Sequence, residues 1–324
     1  MDGKTFIAQY LDGYMARDTF LSFGDGCVLK GLIDLYRATG EGAYRDLALD
    51  RLARQVTAGG SPALPETGAC RADYVNCGRA LLFALDETGD ERYKKAADLM
   101  HDALSEAQAD PCARQPRLKD LYAAEPFRAE YDVRFLKGAE ARTVADRFRY
   151  ARQIMFDPDS GLYTDGCGAQ RPAGPERAAG PFRSDGTGWL LMALIDAADA
   201  MNEQLYEYRR AVEDLFAEAA HGVLRCRGRA TGLYCRAMVL YAILKGVRLG
   251  ILNAERYQKQ AVRDMEKLQE LWLIRDENGR LRLKDEGPAG DRSPDEGTAQ
   301  DGRVAAGVFM MALAEYLRAK KETA

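Results

Sequence analysis

The sequence predicts an all-α protein built as a closed ring of six helical hairpins. Almost wholly apolar runs alternate along the chain with amphipathic segments that carry one apolar face. A helix that is apolar on every side must be buried, and an amphipathic helix can cover it. No stretch shows sustained period-two alternation rich in Val, Ile and Thr, so an α/β barrel fits poorly.

The repeating unit is clearest around residues 71–86, R-A-D-Y-V-N-C-G-R-A-L-L-F-A-L-D. Every residue from Ala80 to Leu85 is apolar, whereas Glu91 to Ala107 places its apolar residues at helical spacing with charged residues opposite. Gly89 suits a left-handed C-terminal cap, and Asp90 suits the next N-cap. The unit is therefore a buried helix, a tight turn and an amphipathic helix that returns outside it.

The same unit recurs from one end of the chain to the other. Besides Ala80 to Leu85, the buried-type runs are Cys27 to Tyr36, Leu121 to Phe135, Trp189 to Ala198, Ala237 to Leu244 and Val304 to Ala314. The amphipathic segments are Lys4 to Ala16, Tyr44 to Val56, Glu91 to Ala107, Arg142 to Met155, Tyr206 to Ala219 and Ala254 to Leu271. The last buried run pairs with the opening helix, so the count favours a ring over an open array.

Three segments complete the predicted organisation, which is a single domain over residues 1–324. Leu281 to Leu283 is expected to form a small ribbon with Leu273 and Ile274. Gly166 to Thr187 and Asp285 to Arg303 lie outside the repeat, and loops of this length tend to be functional lids or disordered.

Composition excludes several classes of function. The formal net charge of -4, from 46 basic and 50 acidic residues, offers no extended basic surface for nucleic acid. No signal peptide and no membrane-spanning run is recognisable, so a soluble cytoplasmic protein without membrane partners is expected. Seven cysteines without a C-x-x-C pair indicate reduced thiols. With only two histidines, we expect neither a multi-histidine metal site nor a Ser-His triad, and no cofactor.

Polar chemistry is expected where the inner helices begin, because those starts surround one mouth of a ring. Aspartates fall at or near these starts, and aromatic residues lie nearby in sequence: Asp25, Asp73, Asp120, Asp185 and Asp301, with Tyr74, Tyr122, Tyr163, Phe182 and Trp189. Each aspartate suits an N-cap and the positive end of a helix dipole, and the aromatics suit a core. Several carboxylates around one cavity would instead raise the pKa of at least one, as a general acid requires, with aromatic platforms for a sugar.

The chain resembles the unsaturated rhamnogalacturonyl hydrolases of glycoside hydrolase family 105 and the related unsaturated glucuronyl hydrolases of family 88. The matching motifs include T-G-D-E-R-Y-K-K-A-A-D at 88–98, Q-P-R at 115–117, L-Y-A-A-E-P-F-R-A-E-Y at 121–131, F-D-P-D-S-G-L-Y at 156–163, G-W-L-L-M-A-L-I-D at 188–196 and G-V-F-M-M-A-L-A-E-Y at 307–316. The resemblance implies an (α/α)6 toroid. It also implies a reaction in which an aspartic acid protonates the C4=C5 enol ether of a terminal unsaturated uronic acid and water adds at C5, without metal or nucleotide.

The family's functional residues carry over only in part. Asp73 falls on the active-site aspartate of the D-x-x-N-x-G motif, but a loop after Q-P-R is missing. The register consequently places Lys119 on the family's second aspartate and Asp120 on the following glycine. Asp165 stands where the family has histidine, Asp185 where it has arginine and Gly232 where it has glutamate.

Three hypotheses follow from this pattern. In the first, Asp73 and Asp120 catalyse hydrolysis of a small acidic oligosaccharide whose carboxylate is held by Arg117, Lys119 or Arg183. The candidate substrate-binding residues are Asp25, Tyr74, Arg117, Lys119, Tyr122, Tyr163, Arg183, Asp185 and Trp189. In the second, the protein is a catalytically silent relative that binds an acidic sugar or serves as an interaction scaffold. In the third, it is a helical-repeat adaptor without a sugar site.

Overall fold

The computed structural model describes residues 2–16, 21–64, 74–109, 117–163, 185–225, 232–284 and 302–322. These residues hold twelve α-helices, most of which follow the predicted segments closely. In chain order they are α1 (Gly3–Met15), α2 (Phe23–Thr39), α3 (Gly42–Gln55), α4 (Gly78–Thr88), α5 (Glu91–Ala109), α6 (Leu118–Tyr131), α7 (Ala141–Met155), α8 (Asp185–Ala200), α9 (Tyr206–Arg225), α10 (Leu233–Arg248), α11 (Ala254–Trp272) and α12 (Arg303–Glu322).

The even-numbered helices form the inner ring. Each of them packs against the next, and α12 packs extensively against α2, which closes the ring. The odd-numbered helices lie outside, with α3, α5, α7, α9 and α11 each packed on the inner helix that precedes it and α1 packed on α12. The predicted (α/α)6 toroid is confirmed, including the pairing of the last inner helix with the opening helix.

The seam between α12 and α2 depends on glycine. A Cβ atom added at Gly307 would collide with the backbone of Cys27, and one added at Gly31 would lie 2.6 Å from the Cβ of Met310. The two helices therefore approach more closely than larger residues would allow. This close approach lets the first and last inner helices meet, as closure of the ring requires.

The turns and the ribbon also follow the sequence. Gly89 ends α4 in the left-handed region, with φ 66°, and its N–H donates to the carbonyl of Leu85. The Oδ1 atom of Asp90 accepts from the N–H of Arg92 at 3.0 Å, as an N-cap should. Strands β3 (Leu273–Arg275) and β4 (Leu281–Leu283) pair antiparallel, and so do β1 (Phe156–Asp157) and β2 (Leu162–Tyr163), which follow α7.

Other expectations fall largely outside the described part of the chain. Of the two long segments, only Asp185 to Thr187 and Gly302 to Arg303 are described, at the starts of α8 and α12. No described helix is both long enough and apolar enough to cross a membrane.

Candidate active-site mouth

The N-terminal ends of the inner helices surround one mouth of the ring, and aromatic rings meet there. The indole of Trp189 lies 5.2 Å from Phe23, 4.8 Å from Tyr122 and 6.0 Å from Tyr234, measured between ring centroids. Phe23 and Tyr234 come from the first turns of α2 and α10, and Trp189 and Tyr122 are the fifth residues of α8 and α6. We call these four side chains the aromatic floor. Trp189, Phe23 and Tyr122 are almost fully buried. Tyr122 and Trp189 were expected here, whereas sequence reasoning missed Phe23 and Tyr234.

A cationic side chain stands over this floor. The Nζ atom of Lys119 lies 4.1 Å from the centroid of the Phe23 ring, within the range of a cation–π contact. The neighbouring Asp120 instead accepts from the Nε atom of Arg117 at 3.4 Å, and both of these side chains are partly exposed at the rim. The structure thus brings Arg117, Lys119 and Asp120 together beside the floor, and it is the ammonium group that lies over a ring.

Asp25 does not face the mouth. It comes two residues after Phe23, so it projects from the opposite side of α2, toward the outer helices. Its carboxylate is completely buried and accepts hydrogen bonds from Tyr14 at 2.9 Å, Ser22 at 2.7 Å, Arg51 at 3.2 Å and Arg303 at 2.6 Å. That Asp25 binds substrate stays a prediction; in this structure its carboxylate fixes the wall of the mouth.

The side chain of Tyr163 also lies in the protein interior. Its side chain is 1% exposed, and its ring packs 5.2 Å from Phe156 across the β1–β2 pair. Burial raises the pKa of its phenol. The Oγ1 atom of Thr187 accepts from the N–H of Tyr163 and donates to its carbonyl, which fastens the hairpin to the start of α8. That Tyr163 lines the substrate site likewise stays a prediction; in this structure its ring is buried beside Phe156.

The approach to α4 is held against α2. Tyr74 is partly buried and lies just before α4, and its carbonyl accepts from the N–H of Cys77. The Nδ2 atom of Asn76 donates to the carbonyl of Phe23 at 2.8 Å. Of the remaining predicted residues, Asp73, Arg183, Phe182 and Asp301 lie outside the described residues, and Asp185 is described only as the first residue of α8.

Charged side chains lie along the axis of the ring beneath the aromatic floor. Tyr122 donates to the sulfur of Met311 at 3.4 Å, and below it lies a largely buried set of charged and hydroxyl groups that we call the axial ion network. Its members are Lys30 and Asp34 on α2, Arg79 on α4, Asp196 on α8, and Tyr241 and Lys245 on α10. Sequence reasoning missed this network, although isolated charges inside otherwise apolar runs were its signal.

Asp196 is the centre of the axial ion network. Its carboxylate accepts from Tyr241 at 2.5 Å, Lys245 at 2.6 Å and Arg79 at 2.5 Å. Burial alone would raise the pKa of Asp196, but the charges of Lys245 and Arg79 outweigh burial and hold the pKa well below its usual value. For Lys30 burial dominates and lowers the pKa to about 8, despite the ion pair with Asp34.

No group of three or more His, Cys, Asp or Glu side chains that could hold a metal ion occurs among the described residues. The mouth places the ammonium group of Lys119 and the guanidinium group of Arg117 beside aromatic side chains, and these two cationic groups suit an anion.

The chain is similar to known glycoside hydrolases in sequence and in fold. The family model described as Glycosyl Hydrolase Family 88 matches residues 4–320. Among solved structures, a family 105 glycoside hydrolase from C. acetobutylicum ATCC 824 aligns with a TM-score of 0.77 at 20% identity, covering 97% of this chain and 98% of that one. A family 88 glycosyl hydrolase from Bacteroides vulgatus aligns with a TM-score of 0.76 at 16% identity, covering 98% of each chain.

A more distant similarity extends to an inactive variant of the GH76A alpha-1,6-mannanase of Salegentibacter sp. HEL1_6. Its TM-score is 0.61 at 15% identity, covering 98% of this chain and 100% of that one. No curated protein matches the sequence.

Proposed function

Because the chain belongs to Glycosyl Hydrolase Family 88, we propose that it is a hydrolase of small acidic oligosaccharides that end in an unsaturated uronic acid. The observation that carries this proposal is the juxtaposition of Lys119 with the aromatic floor. A sugar ring can contact the partly exposed Tyr234 at the edge of the floor, while its carboxylate pairs with the ammonium group of Lys119 or the guanidinium of Arg117. The partly exposed Asp120 lies beside that position.

The proposed reaction needs a proton donor and an activated water. One aspartic acid donates its proton to C4 of the C4=C5 enol ether, and water adds to C5 after giving up a proton to a carboxylate. The resulting hemiketal opens and releases the neighbouring sugar, so the net change consumes one water. We assign the two carboxyl roles to Asp73 and Asp120, with Arg183 as a further partner for the substrate carboxylate.

The test follows loss of the enol-ether ultraviolet absorbance with unsaturated uronyl disaccharides. Asp73→Asn and Asp120→Asn should each lower kcat by about a hundredfold or more, the usual contribution of a positioned acid or base. Asp50→Asn is the matched control, because Asp50 is exposed on α3 and pairs only with Arg54 in the described structure. Full activity of Asp120→Asn would overturn the assignment of that residue, and the same result for Asp73→Asn would overturn the other.

A second candidate is a catalytically silent relative that binds the acidic sugar without hydrolysing it. The observation in its favour is that an ammonium group, that of Lys119, lies over the aromatic floor, at the position that the sequence register aligns with a family aspartate. In this case the wild-type protein binds unsaturated uronyl disaccharides but leaves their absorbance unchanged. Lys119→Met should weaken binding by about tenfold, the loss of one charged contact, whereas Lys259→Met on the exposed face of α11 should not.

The Lys119→Asp variant separates the two candidates further. If the silent state results from this one exchange, the restored carboxylate should produce measurable loss of absorbance. If the wild-type protein is already the hydrolase, the same variant should lose affinity for the substrate. Absence of any binding by the wild-type protein would exclude both candidates and favour the adaptor hypothesis.

A further inference from the structure

A second concave site lies on the outer wall of the ring, between α9 and α11. Its volume is about 590 Å³, within the range of small-molecule sites. Among the described residues it is lined by Glu218, His221, Leu224, Arg225, Arg256 and Tyr257. We call it the outer groove. None of these residues belongs to the mouth.

The groove carries positive charge. Glu218, its one acidic side chain in the described lining, accepts two hydrogen bonds from Arg152, at 2.6 Å from Nε and 2.7 Å from Nη2, so its charge is already balanced. Arg225 and Arg256 are exposed, and within the described part of the chain neither forms an ion pair. Two guanidinium groups from two different helices therefore face an opening that has no uncompensated carboxylate among its described residues.

The groove also contains two rings, of which that of His221 is exposed and that of Tyr257 is buried. The imidazole of His221 lies 6.2 Å from the ring of Tyr257, and the guanidinium carbon of Arg256 lies 5.2 Å from the same ring. Leu224 adds an apolar side chain from α9. Guanidinium groups beside an aromatic and an apolar side chain suit a ligand that has both carboxylates and apolar ring faces, and a compact inorganic anion would use only the charge.

We propose that the outer groove is a second binding site for acidic oligosaccharides, in which Arg225 and Arg256 bind carboxylates of successive uronic acid residues and the exposed His221 contacts a sugar ring. The ligand class rests on the proposed function, whereas the site itself rests on the groove's own charge and shape. Such a site would hold a longer acidic saccharide on the protein outside the mouth.

The test measures binding of a saturated oligogalacturonate by calorimetry, because a saturated ligand is not a substrate for the proposed reaction. The full chain is compared with R225Q/R256Q and with R263Q/R280Q, a control of equal charge in which two exposed arginines outside the groove are replaced. R225Q/R256Q should weaken one binding event at least about tenfold, and the control should leave it unchanged. The methyl-esterified oligosaccharide should not bind at the groove.

Unchanged binding by R225Q/R256Q, or equal binding of the methyl ester, would overturn the proposal. Inorganic phosphate that displaces the oligosaccharide at the same molar concentration would also overturn it, since the groove would then recognise a simple anion. Absorbance loss with unsaturated disaccharides is measured on the same variants. If R225Q/R256Q keeps this activity while losing the binding event, the groove is a separate site; if no variant shows activity but the binding event is still lost, only the proposed hydrolysis fails.

Discussion

Substitution of Asp196 tests how far the axial ion network stabilises the ring, because this carboxylate bonds to side chains of two other inner helices. Asp196→Asn keeps the shape of the side chain and removes one negative charge from a completely buried position. Tyr241, Lys245 and Arg79 all donate to that carboxylate. After the change, the buried Lys245 and the partly buried Arg79 face a neutral amide whose Nδ2 group carries only donors, so the electrostatic balance of three inner helices is lost.

The expected cost can be bounded from the partners that remain. Removing one member of a buried ion pair costs roughly 3 to 5 kcal/mol. Lys245 retains Asp199 at 2.8 Å, and Arg79 retains Glu130 at 3.2 Å, so neither cation is left entirely without a carboxylate. The loss should therefore fall at the lower end, about 3 kcal/mol, which is still a large part of the roughly 5 to 15 kcal/mol typical of folded domains.

Urea unfolding followed by circular dichroism measures this free energy directly. The control is Asp214→Asn, whose exposed carboxylate pairs with Arg210 on the surface and should change stability by less than about 1 kcal/mol. Because the folded pKa of Asp196 is depressed, its stabilising contribution is present above the unfolded pKa of about 3.9 and is lost as the pH falls through the folded value. The difference between wild type and Asp196→Asn should thus shrink in acid. A loss under about 1 kcal/mol at pH 7, or a difference that grows in acid, would refute the reasoning.

Three further predictions concern other buried positions. The folded pKa of Lys30, about 8, lies below the unfolded value of 10.5, so its burial penalty is full below pH 8 and is relieved as the pH rises. In denaturant titrations, the free energy of unfolding of the wild type relative to Lys30→Met should therefore increase between pH 8 and 10, toward a total gain of about 3 kcal/mol. A difference between the two proteins that stays constant with pH would contradict this prediction. Gly307→Ala should destabilise the ring by at least about 1 to 3 kcal/mol, because the added Cβ atom would collide with the backbone of Cys27. The control Gly13→Ala, whose Cβ atom would have no atom within 4 Å, should stabilise α1 by about 0.5 to 1 kcal/mol. Equal shifts in the melting temperatures of the two variants would contradict this prediction. Asp25→Asn should lower the melting temperature, because it removes the buried carboxylate that pairs with both Arg51 and Arg303. The affinity of the folded protein for acidic saccharide should change by less than about twofold, and a large change in affinity alone would place Asp25 in the binding site.

The fold was predictable because its determinants are local and repeated. Apolar runs, amphipathic runs and turn glycines such as Gly89 each specify one helix or one turn, and six copies of the unit reinforce one another. Closure of the ring was reached by counting, and its physical basis became visible only in the structure. Gly307 and Cys27 lie against each other although they are far apart in sequence, so no local pattern predicts their contact.

The candidate site was less predictable because it depends on which face of a helix each residue occupies. Asp25 and Phe23 are two residues apart at the same helix start, yet one faces the outer layer and the other faces the axis. Lys119 and Asp120 differ by one residue, and their side chains have different partners. The alignment of a motif can place a residue near the mouth, but the side of the helix on which the residue lies decides whether its side chain reaches a ligand there.

The depth of a carboxylate along the axis of the ring also decides whether it can take part in catalysis. A buried carboxylate with a strongly shifted pKa is ordinarily a candidate for catalysis, and Asp196 fits that description. Its pKa is shifted downward, however, whereas a proton donor near neutral pH needs an upward shift. Asp196 is also completely buried and bonded to three donors, and the aromatic floor lies between it and the mouth. Asp196→Asn should consequently lower stability while leaving the ligand affinity of the folded fraction unchanged, so the residues to test for catalysis are those at the rim, above Trp189 and Tyr122.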